Sequence, residues 1–216
     1  MNVPLLHVIV TDDVADSPEF PANAETLLAA GGDRVALHLR LKRASGRDFH
    51  SLAVRLRRAV AGSGGWCVIN GRADIALTAR AEAVQLGTGS IPVAAVRVLP
   101  GRGFAIGASV HSAEEARLSV SEGADYLVAG SVFRTASHPD RDPAGVALVT
   151  SCAEAGVPVV GVGGIDAINA RQVVAAGAMG IAVIRAVWQE PSPVDAALGL
   201  LDAVSAAREQ EDEGAC

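Results

Sequence analysis

The chain has 216 residues, half of them apolar, with 18 Lys and Arg against 24 Asp and Glu and a formal net charge of -6. That length supports one domain around a single sizeable core, and the acidic balance excludes a general nucleic-acid binder, which needs a basic face to neutralise phosphates. No basic segment leads into an apolar stretch at the N-terminus and no apolar run is long enough for a bilayer, so no membrane is expected and a cytoplasmic location is the default.

In chain order, Leu5 to Val10 reads as a first buried strand, ending at Thr11-Asp12-Asp13, with a helix from about Pro21 to Ala30. Val35 to Arg40 is a second strand in which His38, Arg40 and Lys42 alternate and so share a face if the chain stays extended. Phe49, Leu52, Ala53, Leu56 and Val60 give helical spacing over Ser45 to Ala61, which Gly62 to Gly65 end. Trp66 to Asn70 is a third strand, Asp74 to Ala79 a short helix, and Ala83 to Leu86 a fourth strand leading into Gly87-Thr88-Gly89-Ser90. Pro92 opens another short helix, and Phe104 to Ala108 is a fifth strand followed by Ser109-Val110-His111. Ser112 with Glu115 forms a capping box before a helix that stops at Gly123.

Tyr126 to Ala129 is a sixth strand, and Gly130 to Pro143 is the longest loop, holding Arg134, Thr135, Ser137, His138 and Arg141. Long loops on rigid scaffolds tend to carry function. Ala144 to Ala155 is helical. Val157 to Val162 is a β-branched run of the kind buried on both faces of a parallel sheet. Gly163 and Gly164 follow it, and a helix is expected from Ile165, with Ile168, Val173, Val174 and Ala178 on its apolar face. Ile181 to Ile184 is the eighth strand and Pro193 to Ala207 the last helix. The acidic segment 209–216 is expected to be a disordered tail, leaving 1–208 as the folded domain.

Eight strand and helix alternations with no linker select a single (β/α)8 TIM barrel over a doubly wound sheet. In such barrels the loops after strands seven and eight commonly hold a phosphate, and paired glycines bring bare backbone N–H groups close to an anion. The bland alternative is that Gly163 and Gly164 only make a tight turn.

The polar residues at the C-terminal strand ends are Asp12 and Asp13, Arg40 and Lys42, Asn70, Gln85, Ser109 and His111, Thr135 and His138, and Arg185. Each has a dull reading. The two aspartates could cap the first helix, His111 could merely precede a helix cap, Arg40 and Lys42 could pair on the surface, and His38 could be a satisfied core imidazole. Their shared end of the barrel favours a site. Neither HxxxH nor clustered Cys and His is present, no carboxylate stands at Asn70-Gly71 or Gly89-Ser90, and GxSxG and Walker A sequences are absent. Cys67, Cys152 and Cys216 have no metal-ligand spacing and suit packing. No metal is expected.

The stretches LHLRLK at 37–42, VINGRADIAL at 68–77, VQLGTGS at 84–90, SVHSAEEA at 109–116, GADYLVAGSVFRTASH at 123–138, and VPVVGVGGI and GAMGIAVIRAVW within 157–188 carry a resemblance that spans nearly the whole chain. The chain resembles the thiamine phosphate synthase and thiazole tautomerase family of (β/α)8 barrels. Its synthase branch implies Mg held by an Asp straight after the Asn and by a second Asp in the next loop. Here Gly71 and Ser90 stand there, and the branch's loop lysine falls on His138.

The NGR and QLxxGS patterns look like the tautomerase branch, which shifts a proton to aromatise a thiazole phosphate without metal. The expectation is therefore a metal-independent, tautomerase-like enzyme of thiamine biosynthesis with no cofactor. The alternatives are an Mg-dependent synthase that condenses thiazole phosphate with hydroxymethylpyrimidine diphosphate, and a non-catalytic phosphate binder or regulator. Ser131 occupies the position of the tautomerase histidine, so His138 or His38 is expected to move the proton. The resemblance implies a small phosphorylated thiazole or thiamine phosphate as ligand and homo-oligomers among its members; charge and hydropathy leave neither nucleic acid nor membrane as an expected partner. By it, Gly164, Ile184 and Arg185, with Gly163 beside them, would hold the phosphate. Thr135 and Ser137 would lie near the thiazole, and His38, Arg40, Asn70 and Ser109 would line the remaining pocket, with Lys42 a further substrate-binding candidate.

Overall fold

The computed structural model describes residues 2–135 and 142–214, with side chains described to residue 211. Eight parallel strands run β1 (Leu6–Thr11), β2 (Val35–Arg40), β3 (Trp66–Asn70), β4 (Ala83–Leu86), β5 (Ala105–Val110), β6 (Tyr126–Gly130), β7 (Val159–Val162) and β8 (Gly180–Val183). They close in sequential order, with Leu6 of β1 beside Ile181 of β8. The helices are α1 (Asp12–Ala15), α2 (Phe20–Gly31), α3 (Gly46–Val60), α4 (Ala73–Ala79), α5 (Val93–Arg97), α6 (Ala113–Ser121), α7 (Val146–Ala153), α8 (Ala170–Ala175), α9 (Arg185–Trp188) and α10 (Pro193–Gly214). This is the (β/α)8 barrel that the strand count selects.

The near-continuous apolar strands follow from burial on both faces. Leu6, Val8, Leu37, Leu39, Ile69 and Leu127 point outward and pack under the helices in one large cluster. Residues of opposite parity, among them Ile9, Ala36, Val68, Ala83, Tyr126 and Val160, form a second cluster inside the barrel. Most of these inner residues are small, which leaves room for the Tyr126 ring, set edge-on at 6.0 Å to Trp66.

Side-chain caps mark two helix starts, one at Ser112, as the sequence suggests, and one at Ser45, where the sequence reading has the helix begin. Ser45 Oγ accepts from the Asp48 N–H at 3.2 Å in front of α3, whose buried stripe is Phe49, Ala53, Leu56 and Val60. Ser112 Oγ accepts from the Glu115 N–H at 3.1 Å in front of α6. The Glu115 carboxylate accepts in return from the His111 N–H at 2.7 Å, one residue earlier than a standard capping box.

The turn after β7 departs from expectation. α8 begins at Ala170, not Ile165, because Asp166 Oδ1 accepts the N–H groups of Ile168 (2.9 Å) and Asn169 (3.1 Å) and so holds the chain in a turn. Ile168 is 89% exposed and lies on no buried helix face. α10 continues to Gly214, into the acidic segment assigned to a tail. Among the described residues no helix is long and apolar enough to cross a membrane. Cys67 and Cys152 are buried, and that burial pushes both thiols up, which suits packing and not nucleophilic chemistry.

Candidate active site

The C-terminal ends of the strands open into a pocket of about 1280 Å³. β2 and the turn after it contribute His38, Arg40 and Lys42; β3, β4 and β5 contribute Asn70, Gln85 and Ser109. His111 and Thr135 lie at its edge, and Gly163, Gly164, Ile184 and Arg185 form the wall after β7 and β8. Apart from Ser137 and His138, which lie outside the described residues, and from Asp12 and Asp13, the structure brings the candidate residues to one mouth.

Asp12 and Asp13 are not in the pocket. The Asp12 carboxylate accepts the backbone N–H groups of Lys42 and Arg43, each at 2.9 Å, and so fixes the turn that carries Lys42. Desolvation would raise its pKa, but those N–H groups and the Arg43 guanidinium outweigh it and hold the carboxyl below its usual range. Asp13 pairs with Arg43 on the surface at 2.8 Å. Neither side chain caps α1, because both are drawn to the loop beyond β2.

His38 lies at the pocket floor, 1% exposed, with both ring nitrogens engaged. Its Nε2 is 2.7 Å from His7 Nδ1, and its Nδ1 is 3.2 Å from the Asn70 amide. His7 Nε2 in turn lies 3.0 Å from the Pro4 carbonyl oxygen. Burial lowers His7 to about 4, and burial together with the neighbouring His7 holds His38 well below its ordinary value. Both rings are neutral at neutral pH. That is not the setting of the near-neutral acid and base expected of His38.

The glycine wall has a tight packing partner. Gly163 and Gly164 have φ of 105° and 64°, a region where side chains are strained. A Cβ on Gly163 would sit 2.7 Å from Ser131 Cβ, and one on Gly164 would sit 2.9 Å from Phe133 Cβ. The segment after β6 therefore lies directly on the glycine turn, tied to it by the Phe133 N–H donating to the Gly163 carbonyl at 2.9 Å. Asn169 Nδ2 secures the other side, donating to the Gly164 carbonyl at 3.0 Å. The glycines thus serve close backbone approach as well as the turn, while lining the pocket.

Arg40, Lys42, Arg134 and Arg185 bring four cations to the pocket in a chain of net negative charge. Arg134 was noted in the sequence only as loop material. Asp166 and Glu190 also reach the rim and carried no signal, since each follows a turn whose direction only the fold sets. His7 was missed too. Its signal was a lone imidazole inside an apolar strand, two residues before inward-facing Ile9.

The synthase branch's Mg finds no carboxylates at its expected positions. A Cβ on Gly71 would be 3.7 Å from Ser90 Oγ, so the two positions adjoin, yet neither offers a carboxylate. Among the described residues no group of three or more His, Cys, Asp or Glu could hold a metal ion. Among the described residues, those at these two positions do not fit that ion.

The family model for thiamine monophosphate synthase matches residues 7–187. A thiamine-phosphate synthase of Methanoculleus marisnigri is 40% identical over 202 residues, 93% of this chain and 95% of that protein. Another, of Coprothermobacter proteolyticus, is 38% identical over 185 residues, 85% of this chain and 88% of that protein. Among solved structures, thiamine phosphate pyrophosphorylase from Pyrococcus furiosus superposes with a TM-score of 0.83 at 33% identity, covering 95% of this chain and 98% of that one. These names overturn the tautomerase expectation. It rested on a few substituted positions, chiefly Gly71 and Ser90, whereas the similarity to synthases runs through the whole barrel. The match over residues 7–187 and relatives similar along most of their length establish that the chain belongs to the thiamine monophosphate synthase family.

Proposed function

We propose that this protein is a transferase that joins a phosphorylated thiazole to a pyrimidine diphosphate, forming thiamine phosphate and releasing diphosphate. The thiazole nitrogen attacks the carbon that bears the diphosphate. The C–N bond forms as the C–O bond breaks, and the electron pair leaves with the diphosphate. Supporting this reading above all is the identity of about 40% to a synthase over 93% of the chain, with a pocket at the catalytic face large enough for two substrates.

In this reading the backbone at Gly163, Gly164 and Ile184, with the Arg185 guanidinium, takes the thiazole's phosphate. Arg40, Lys42 and Arg134 surround the departing diphosphate and offset the charge that develops on it. Asn70 and Ser109 orient the rings, with Thr135 alongside. The bond exchange needs no side chain to shuttle a proton, which agrees with neutral His38 and with Ser131 where the tautomerase branch has histidine. The donor set around Gly71 and Ser90 leads us to propose that the pocket's cations, and no divalent ion, carry the charge neutralisation. Calorimetric titration of thiamine phosphate in EDTA tests the pocket. Binding that weakens about tenfold in Arg185→Met is expected, the scale of one lost charge-assisted contact; no binding by the wild type would count against the assignment.

A further inference from the structure

His7 touches nothing in the pocket, yet the hydrogen-bond chain that begins at it ends on a pocket side chain. The Pro4 carbonyl can only accept, so the hydrogen of the neutral His7 ring sits on Nε2, 3.0 Å away. His7 Nδ1 is then a lone pair, and the 2.7 Å contact requires the His38 hydrogen on Nε2. His38 Nδ1 is consequently a lone pair as well, and it lies 3.2 Å from Asn70 Oδ1. Two acceptors repel. A second proton on His38 or a half-turn of the Asn70 amide would relieve the contact. Burial beside His7 opposes the proton, whereas the half-turn exchanges two atoms of nearly equal size.

We propose that His7 is a positioning residue: through His38 it holds the Asn70 amide with Nδ2 toward His38 and Oδ1 facing the pocket, so that Asn70 meets the substrate as a hydrogen-bond acceptor. The site then selects a ring that presents an N–H or O–H donor at this point and discriminates against one that presents a lone pair. An unlocked amide could serve either. The chain is fixed at its far end by a main-chain carbonyl under the barrel, which no ligand reaches. His7 and His38 are 0% and 1% exposed, so water does not compete for these bonds.

The kinetic part of the test rests on the synthase reading; the spectroscopic part does not, which separates failure of one from failure of the other. Nitrogen-15 NMR of the imidazole rings in the wild type at neutral pH should show His7 and His38 both carrying hydrogen on Nε2 and a lone pair on Nδ1. Hydrogen on His38 Nδ1, or a doubly protonated ring, would overturn the proposal whatever the variants do. His7→Gln can still donate to Pro4 and accept from His38, so it should keep the His38 tautomer and the wild-type KM. His7→Met cannot accept in the same way; His38 should then show mixed tautomers, and KM for one substrate should rise about tenfold with a smaller change in kcat, the scale of one hydrogen bond. Mixed tautomers with an unchanged KM, or a tenfold rise in His7→Gln as well, would contradict the positioning role.

Discussion

The indole N–H of Trp188 donates to the carbonyl of Ile9 at 3.0 Å, tying α9, after the last strand, to the middle of the first. The same ring meets Phe20 edge-on at 5.7 Å. Trp188→Phe should keep much of the aromatic packing and lose the hydrogen bond, leaving the carbonyl of 8%-exposed Ile9 without this donor. A loss of about 1 kcal/mol is expected, seen as a fall in Tm of roughly 2–4 °C for a chain of this size. An unchanged Tm would mean that the bond contributes nothing to barrel closure.

Gly164→Ala places a Cβ against the Arg134 carbonyl and Phe133 in a left-handed backbone region. The backbone alone costs about 1–2 kcal/mol, and the segment 131–134 must also move. A lower Tm together with weaker phosphate binding is expected. If affinity for the phosphate ligand is unchanged, the turn does not hold the anion.

The adjacency of Gly71 and Ser90 makes the metal account testable by gain of function. Gly71→Asp together with Ser90→Asp should put two carboxylates around one point, since a Cβ at 71 already lies 3.7 Å from Ser90 Oγ. Asp is among the residues that tolerate the φ of 74° at position 71. Manganese titration followed by electron paramagnetic resonance should show tight binding in the double variant and not in the wild type. Equal binding in both would mean that the wild type has ligands this account does not assign.

How far the sequence revealed these features depends on the kind of signal. The strands were legible because burial on both faces leaves apolar runs, as in Val157–Val162, and the Ser112 cap because a hydroxyl there has a local partner. The site's location followed from the fold, since strand ends converge in a barrel. The start of α8 was not legible, because the Asp166 turn competes with a helix using only side-chain geometry. Nor was the His7–His38 contact, which depends on two strands lying in register, His7 opposite Ala36 and Ile9 opposite His38. The branch within the family was misread for a different reason. Gly71 and Ser90 are two local substitutions, whereas the similarity to synthases is spread along the whole barrel.

Acid should destabilise the protein through its buried, neutral histidines. His7 falls from 6.5 to about 4 on folding, so the unfolded chain binds more protons between those values. Stability is therefore fully present above pH 6.5 and is lost as pH falls toward 4, by roughly 3 kcal/mol for His7 alone. His38 adds to the loss with the same sign. Asp12 contributes only lower, below its ordinary value of 3.8. Urea unfolding at pH 7.5 and 5 measures the difference, and His7→Met should flatten it. Equal stability at the two pH values would mean that the histidines are not buried as neutral rings.

The transferase assignment is tested most directly by turnover. Purified protein would be given the thiazole phosphate and the pyrimidine diphosphate, with EDTA in one arm and Mg in the other, while thiamine phosphate and released diphosphate are both quantified. The two products should appear in equal amounts in both arms. Product only with Mg would contradict the cation-based charge neutralisation, and no product in either arm would contradict the transferase itself.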